Sequence, residues 1–256
     1  MSGQYLFRIE MLSRKKCHPL EAAAEFSGEN LYSIADHKSF NSTTQKKVIW
    51  NDLVTIHPLD VLFCGLPEYL KIRTRKRDII SNARNLLWKS VADKEQRVDA
   101  QFARCFEVAV PCFLNENEAK ALLISYADVL AKEGMVVDVS LHKQGSTESG
   151  LSSYTQNLQK INDEKELKTN IKKQAKDLDS AGFLVCTVRN YENGEFGIKN
   201  RDWNKKGNMI TWRKEWLEVL KEAITNSSAE NPDKLKWLNK LNVYPEYQSK
   251  IQSKLI

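Results

Sequence analysis

Residues 134–142 read GMVVDVSLH and residues 181–189 read AGFLVCTVR, and both stretches predict buried β-strands. Each is a short run of valine, leucine and other apolar residues, which is typical of strands inside a sheet. The first run ends at His142.

The rest of the chain mixes strand-like and helix-like patterns. Alternating apolar residues predict further strands at 5–11, 47–56 and 101–110. Starting signals and helical spacing predict helices from Pro19, Ile79, Asn115 and Asn208. We expect residues 182–189 to form the last strand, and Trp212 and Trp216 to lie in the core. Strands and helices interspersed in this way predict an α+β fold, with a central, mainly antiparallel sheet backed by helices.

Composition predicts one main domain with two additions. Residues 146–180 are rich in serine, asparagine, glutamine and lysine, and their sparse apolar residues recur at near-helical spacing. We therefore expect a helical insertion at 146–180 within a domain that spans 1–225. Residues 226–256 are expected to form a helical C-terminal extension.

The chain carries a formal net charge of +6, and its positive charge is concentrated. Residues 71–89 hold seven lysines and arginines against Asp78 alone. Three basic segments are candidates for contact with DNA phosphates: Lys71, Arg73, Arg75, Lys76 and Arg77; Arg14, Lys15 and Lys16; and Arg201, Lys205 and Lys206. For the first segment a solvated surface loop remains the alternative. In the third segment Trp203 stands between the cations and suits stacking on a single-stranded base, and packing of Trp203 is the alternative.

Several classes of protein are not supported by the sequence. The five cysteines form no CxxC pair, which argues against a structural zinc site and a disulfide framework. Neither a dinucleotide-binding glycine motif nor a Walker-type phosphate loop occurs. With no signal segment and no apolar run long enough to span a bilayer, we expect a soluble cytoplasmic protein without membrane partners.

Four segments together resemble the MobA/MobL relaxases, the plasmid-mobilisation enzymes that nick single-stranded DNA. They are EAAAEFSGENL at 21–31, LWKSVADKEQRVDAQFARCFEVAVP at 87–111, GMVVDVSLHKQGS at 134–146 and RDWNKKGNMITWRKEWLEVLKEA at 201–223. The resemblance implies a small antiparallel sheet whose strand ends present histidines to a metal ion. It also implies a tyrosine on an early helix that attacks a DNA phosphodiester.

The residues that carry this chemistry in the family are replaced here. Glu25 stands at the position of the attacking tyrosine, and Ala181 and Phe183 stand at the two histidines of the His-x-His pair. The remaining positions are His142 and Glu107, and one histidine with one carboxylate falls short of the usual three or more metal ligands. A structural role for His142 and a solvent-facing Glu107 are the alternatives. We therefore expect neither a bound metal or other cofactor nor catalysis.

The resemblance and the missing chemistry lead to a functional hypothesis. We expect a non-catalytic DNA-binding protein, a transcriptional regulator that activates bacterial genes by binding promoter double-stranded DNA as a dimer or higher homo-oligomer. One alternative is a metal-dependent DNA-nicking enzyme with a rearranged site that uses Tyr32 and His142. Another is a mobilisation accessory protein that does not bind DNA.

Overall fold

The computed structural model describes residues 7–33, 37–44, 48–55, 76–143, 180–192, 195–228, 232, 234–239 and 241. The strands are β1 (Phe7–Ser13), β2 (Leu31–Ser33), β3 (Lys38–Phe40), β4 (Val48–Val54), β5 (Gln101–Val110), β6 (Val137–Lys143), β7 (Ser180–Thr187), β8 (Arg189–Glu192) and β9 (Glu195–Lys199). The helices are α1 (Pro19–Ser27), α2 (Lys76–Lys94), α3 (Glu116–Lys132) and α4 (Lys206–Asn226), and a 3-10 turn spans Asp202–Asn204.

Five strands form a central sheet in the order β1-β5-β7-β6-β4, and every neighbouring pair runs antiparallel. The two strands predicted from GMVVDVSLH and AGFLVCTVR are β6 and β7. They lie side by side, and β7 is the middle strand of the sheet. Two small ribbons, β2 with β3 and β8 with β9, are separate from this sheet. The predicted α+β class with a mainly antiparallel sheet is confirmed.

The expectation that residues 182–189 form the last strand is wrong, because β7 ends at Thr187 and two more strands follow. The signal for this second hairpin is present in the sequence. Asn193-Gly194, between the two strands, is a dipeptide favoured in tight hairpin turns. The alternation of apolar residues also misses β2 and β3, because a strand of three residues is too short to show it.

Each face of the sheet packs against a pair of helices. On one face, α1 and α2 join a core cluster that contains Leu20, Leu87, Trp88, Phe102, Phe183 and Val185. On the other face, α3 and α4 join a second cluster that contains Phe106, Leu123, Tyr126, Leu184, Trp212 and Trp216. Trp212 and Trp216 are fully buried, so their predicted place in the core is confirmed.

Two local features fix the position of α3 on the sheet. The helix begins at a capping box, in which the Asn115 side chain accepts the Glu118 backbone N–H and the Glu118 carboxylate accepts the Asn115 N–H, both at 3.0 Å. At Gly182 on β7 the helix comes so close that an added Cβ atom would collide with Leu123 Cδ2 on α3, and it would also lie 2.8 Å from Val108 Cγ2 on the neighbouring strand β5. Glycine therefore allows α3 to lie directly against the middle strand.

The described part of the C-terminal region packs on the same core as the rest of the domain. Residues 234–239 are helical, and Trp237 and Leu241 are buried in the cluster formed by α3 and α4. The expected insertion at 146–180 lies outside the described residues except for Ser180, which begins β7. Among the helices that the structure describes, none has the length and apolar character needed to cross a bilayer.

Candidate functional site

The ends of β6 and β7 bring three positions to one face of the sheet. His142 pairs with Ala181 across the two strands, and Ser140 pairs with Phe183. Paired residues of antiparallel strands point to the same face, as do residues two apart in one strand. The structure therefore clusters His142, Ala181 and Phe183, the positions that the resemblance assigns to metal ligands.

The His142 ring is held by hydrogen bonds. Its Nε2 atom lies 2.7 Å from the backbone carbonyl oxygen of Phe26 and 3.0 Å from Ser140 Oγ. A carbonyl oxygen can only accept, so Nε2 carries the proton and donates it to Phe26. A protonated ring nitrogen has no lone pair for a metal ion, so Nε2 is not a ligand in this arrangement. The side chain serves instead to join β6 to α1.

Aromatic packing fills the space beside this ring. The ring centroids of His142 and Phe183 are 4.8 Å apart in an edge-to-face arrangement, and those of Phe26 and Phe183 are 5.6 Å apart. Phe183 is only 4% exposed. Phe26 and Ala181 are partly buried and pack against the same cluster. Where the family pattern has a metal cage, this chain has a small hydrophobic core between α1 and β7.

The residues of this cluster do not fit a metal ion. A site of this kind needs three or more nitrogen, oxygen or sulfur ligands. Ala181 and Phe183 offer only carbon and hydrogen, and Nε2 of His142 is a donor. Within the described residues, no group of three or more histidine, cysteine, aspartate or glutamate side chains is arranged to hold a metal ion.

Glu25, at the position that the resemblance assigns to the attacking tyrosine, holds a loop by hydrogen bonds. Its Oε1 atom accepts the Thr43 backbone N–H and its Oε2 atom accepts the Thr43 hydroxyl, both at 3.0 Å. The Thr44 hydroxyl donates to the Glu25 backbone carbonyl. These bonds tie residues 41–44 to α1 directly before Phe26. The carboxylate therefore acts as a hydrogen-bond acceptor at the same helix turn that holds His142.

Tyr32, the alternative nucleophile, lies on β2. Its side chain is 45% exposed, and its backbone N–H donates to Asn85 Oδ1 on α2 at 3.0 Å. In the part of the chain that the structure describes, no hydrogen bond joins Tyr32 to His142. The Tyr32 phenol faces solvent, whereas the His142 ring is buried against α1.

Glu107 lies in the same row of the sheet as Phe183. It pairs with Phe183 on one side and with Arg8 on the other. Its Oε2 atom is 3.8 Å from Arg8 Nη1, and its side chain is 35% exposed. Partial burial raises the pKa of Glu107 above its ordinary value, because the attraction of Arg8 offsets the loss of hydration only in part. Glu107 is thus a half-buried carboxylate beside an exposed arginine.

A buried ion-pair network lies behind the cluster. Arg84 Nε donates to Asp138 at 3.0 and 2.9 Å, and Arg84 Nη1 lies 2.7 Å from Glu29. Trp88 Nε1 also donates to Asp138, at 2.8 Å. Burial alone would lower the pKa of Arg84, but Asp138 and Glu29 raise it above its ordinary value. The network joins α2, β6 and the segment after α1, so it stabilises the arrangement of elements around His142.

The sequence does not predict this network, although one signal for it exists. Arg84 counts among the seven cations of residues 71–89, yet it is fully buried and adds nothing to a positive surface. The signal is Asp138, because a charged side chain within the apolar run VVDVSL requires a buried partner. The partner itself lies 54 residues away in sequence, and only the packing of α2 on β6 identifies it.

The first basic segment falls largely outside the described residues. Lys71, Arg73 and Arg75 are not among them, and for Lys76 and Arg77 the structure describes only the backbone, as the first residues of α2. Their proposed contacts with phosphates stay a prediction.

The second and third basic segments meet at the end of the sheet opposite His142. Arg14 donates through Nη1 to the backbone carbonyl oxygens of Ala92 and Glu95, at 2.9 and 3.2 Å, so it caps the C-terminal end of α2. Lys15 and Lys16 are exposed, and Lys16 pairs with Glu10 at 3.1 Å. Arg14 therefore has a structural role, whereas the two lysines face solvent.

The third segment spans the 3-10 turn and the first residue of α4. Arg201, Lys205 and Lys206 are exposed, and Lys205 pairs with Asp202 at 2.8 Å. Trp203 is buried against the core, and its backbone carbonyl accepts a hydrogen bond from Arg104 at 3.2 Å. Stacking of Trp203 on a DNA base is therefore excluded in this conformation, but the neighbouring cations remain available.

The fold and the strand-end cluster together define a relaxase-like scaffold. The MobA/MobL family model matches residues 19–234, and the chain belongs to this family. A solved structure from work on the molecular basis of vancomycin resistance transfer in Staphylococcus aureus has the same fold, with a TM-score of 0.59 and 21% sequence identity. That match covers 89% of this chain and 96% of the other. No curated protein sequence matches the chain.

Proposed function

We propose that this protein binds DNA without cutting it, and that it acts as a transcriptional regulator on a relaxase scaffold. The observation that carries the proposal is the strand-end cluster, in which Phe183 and Ala181 stand at the metal-ligand positions and His142 donates to the carbonyl of Phe26. The family scaffold and the net charge of +6 support retained contact with nucleic acid.

The loss of chemistry involves two separate elements of the fold. Glu25 on α1 replaces the nucleophile and is engaged by Thr43. Ala181 and Phe183 on β7 replace the ligands and are packed against apolar side chains. Restoring only the nucleophile or only the metal ligands would not restore the reaction. Strand cleavage of this type needs both a nucleophile and a group that neutralises the phosphate.

A protein that binds DNA and leaves it intact can act by occupying its site. Regulators of this kind usually bind as symmetric oligomers, because two half-sites multiply the affinity. We propose a dimer or higher homo-oligomer on promoter DNA, with phosphate contacts from the exposed basic segments. Activation of the neighbouring promoter is the proposed outcome.

A paired assay tests the proposal. The protein is first titrated into duplex DNA from upstream of its own gene cluster, and the mobility shift is measured over a range of salt concentrations. It is then incubated with supercoiled plasmid and Mg²⁺ or Mn²⁺, and the products are separated on a denaturing gel. We expect a shift that weakens steeply with salt and no relaxed or protein-linked plasmid.

Two results would count against the proposal. A relaxed plasmid carrying covalently attached protein would restore the nicking enzyme. Absence of any DNA binding, even at low salt, would instead favour an accessory protein of the mobilisation machinery.

A further inference from the structure

Three segments that are far apart in sequence meet at the end of the sheet opposite His142. They are residues 13–18, 93–101 and 189–206, and they hold ten lysines and arginines against six acids. The contacts that join them run through one residue at the end of α2. The Glu95 backbone carbonyl accepts from Arg14, and the Glu95 carboxylate binds Lys199 and Arg189.

Glu95 acts as an anchor for the β8–β9 ribbon. Its side chain is only 6% exposed, and it lies 2.7 Å from Arg189 Nε and 3.0 Å from Lys199 Nζ. Lys199 also donates to the backbone carbonyl of Gln101 at 2.6 Å. Two cations share this one carboxylate, so the cluster keeps a positive charge after pairing. The ribbon is therefore held firmly against the end of the sheet.

The surface around this anchor is positive and solvent-facing. Lys15, Lys94, Arg201 and Lys206 are exposed. Within the described residues, none of these four takes part in an ion pair shorter than 4 Å, in contrast to Lys16 and Lys205, which pair with neighbouring acids. An exposed cation without an ion pair can contact a phosphate without first breaking an ion pair within the protein.

An apolar side chain projects from the ribbon that Glu95 anchors. Ile198 on β9 is 88% exposed, the most exposed of the large hydrophobic side chains in the described part of the chain. Its neighbour Lys199 is held by Glu95, and Phe196 and Tyr191 anchor the ribbon by their burial. An aliphatic side chain on a rigid two-stranded ribbon, flanked by cations, suits contact with the sugars and base edges of a groove.

We infer that this surface, formed by Lys15, Lys94, Ile198, Arg201 and Lys206 and called here the basic end, is where duplex DNA binds. The inference rests on the proposed DNA-binding function and locates it. The basic end and the His142 cluster lie at opposite ends of the strands, on the order of 20 Å apart for strands of this length. DNA thus binds away from the strand ends that the resemblance assigns to cleavage.

The test is fluorescence anisotropy with a labelled mixed-sequence duplex, which measures the electrostatic part of binding without a known target. The variant Lys15→Ala/Arg201→Ala/Lys206→Ala is compared with the control Lys120→Ala/Lys214→Ala/Lys221→Ala, which removes the same charge from α3 and α4. We expect the Lys15/Arg201/Lys206 variant to bind at least about tenfold more weakly. The slope of log K against log salt should fall in magnitude by about two to three for this variant. The control keeps both values.

Ile198→Ala gives an independent readout. Because this change removes no charge, affinity should fall by a similar factor at every salt concentration while the slope is unchanged. Thermal unfolding of each variant confirms that the fold is retained. Light scattering reports the oligomeric state.

The outcomes separate this inference from the proposed function. If the basic-end variant binds the duplex as well as the wild type does, the proposed location is wrong and the proposed function stands. The same holds if Lys143→Ala, at the other end of the sheet, abolishes binding instead. If the basic-end variants change the oligomeric state and leave DNA binding intact, the surface is a protein interface and the inference fails. If the wild type binds no duplex, both the function and the location fail.

Discussion

The Nε2 atom of His142 donates a hydrogen bond to the backbone carbonyl of Phe26, at 2.7 Å. This bond joins the end of β6 to α1, the helix that carries Glu25, which the resemblance places at the position of the nucleophile. The residue at a position that the resemblance assigns to a metal ligand thus holds a helix in this chain.

Replacing His142 tests this structural role. His142→Ala removes the donor and leaves the Phe26 carbonyl without its partner, so we expect a loss of about 1–3 kcal/mol in the free energy of unfolding. The matched control is Ser140→Ala, which keeps the bond to Phe26 and should cost less. Urea denaturation of both variants measures the difference. Equal stability of His142→Ala and the wild type would show that the bond contributes nothing.

The register between β6 and β7 should allow a zinc site to be introduced by substitution. In the variant Ala181→His/Phe183→His, three histidines share one face of the sheet, which is the number that a zinc site with an open position requires. We expect Zn²⁺ to raise Tm for this variant, by the equivalent of about 2.7 kcal/mol at a hundredfold excess over Kd. Adding His142→Ala should abolish the shift. A shift that survives that change would mean that the register does not bring the three positions together.

The buried network makes Arg84 a strong determinant of stability. Arg84→Met leaves Asp138 and Glu29 buried without their cation, and we expect a loss of about 3–5 kcal/mol. Lys89→Met, one turn later on α2 and half-exposed, is the matched control and should change stability by less than about 0.5 kcal/mol. Chemical denaturation distinguishes the two. A small effect at Arg84 would contradict the ion-pair geometry.

Glu107 predicts a dependence of stability on pH. The pKa of this carboxyl is raised in the folded protein, mainly by burial, so the folded state holds the proton to a higher pH than the unfolded state does. The group therefore favours folding below its unfolded pKa of about 4.3, and stability is lost as pH rises through the folded value. Glu107→Gln should raise Tm at neutral pH and leave it nearly unchanged below about pH 4. The opposite pattern would show that the ion pair with Arg8 dominates.

Much of the architecture follows from local sequence. Periodicity and capping signals predict β1, β4, β5, β6 and β7 and the starts of α1 and α3, because each depends on residues close together in the chain. The resemblance supplies the positions of the strand-end cluster. It does not reveal that Phe183 packs on His142, or that Phe26 accepts from it, because these contacts depend on how α1 packs on the sheet.

The distribution of charge was beyond prediction for the same reason. In sequence, Arg84 and Arg14 are two more cations in basic segments, but one is buried in an ion-pair network and the other caps α2. Conversely, no local pattern indicates that residues 14–16 and 199–206 share a surface. Their meeting at Glu95 depends on the β1-β5 pairing and on the contacts of Arg189 and Lys199 with Glu95, all of which join residues far apart in sequence.

Titration calorimetry of the wild-type protein with Mn²⁺ and with Zn²⁺ tests the central claim most directly, since it asks whether the strand-end cluster still holds a metal ion. We expect heats no larger than those of dilution at millimolar metal. Binding of one ion per chain, lost in His142→Ala, would contradict this expectation and would favour the metal-dependent nicking alternative.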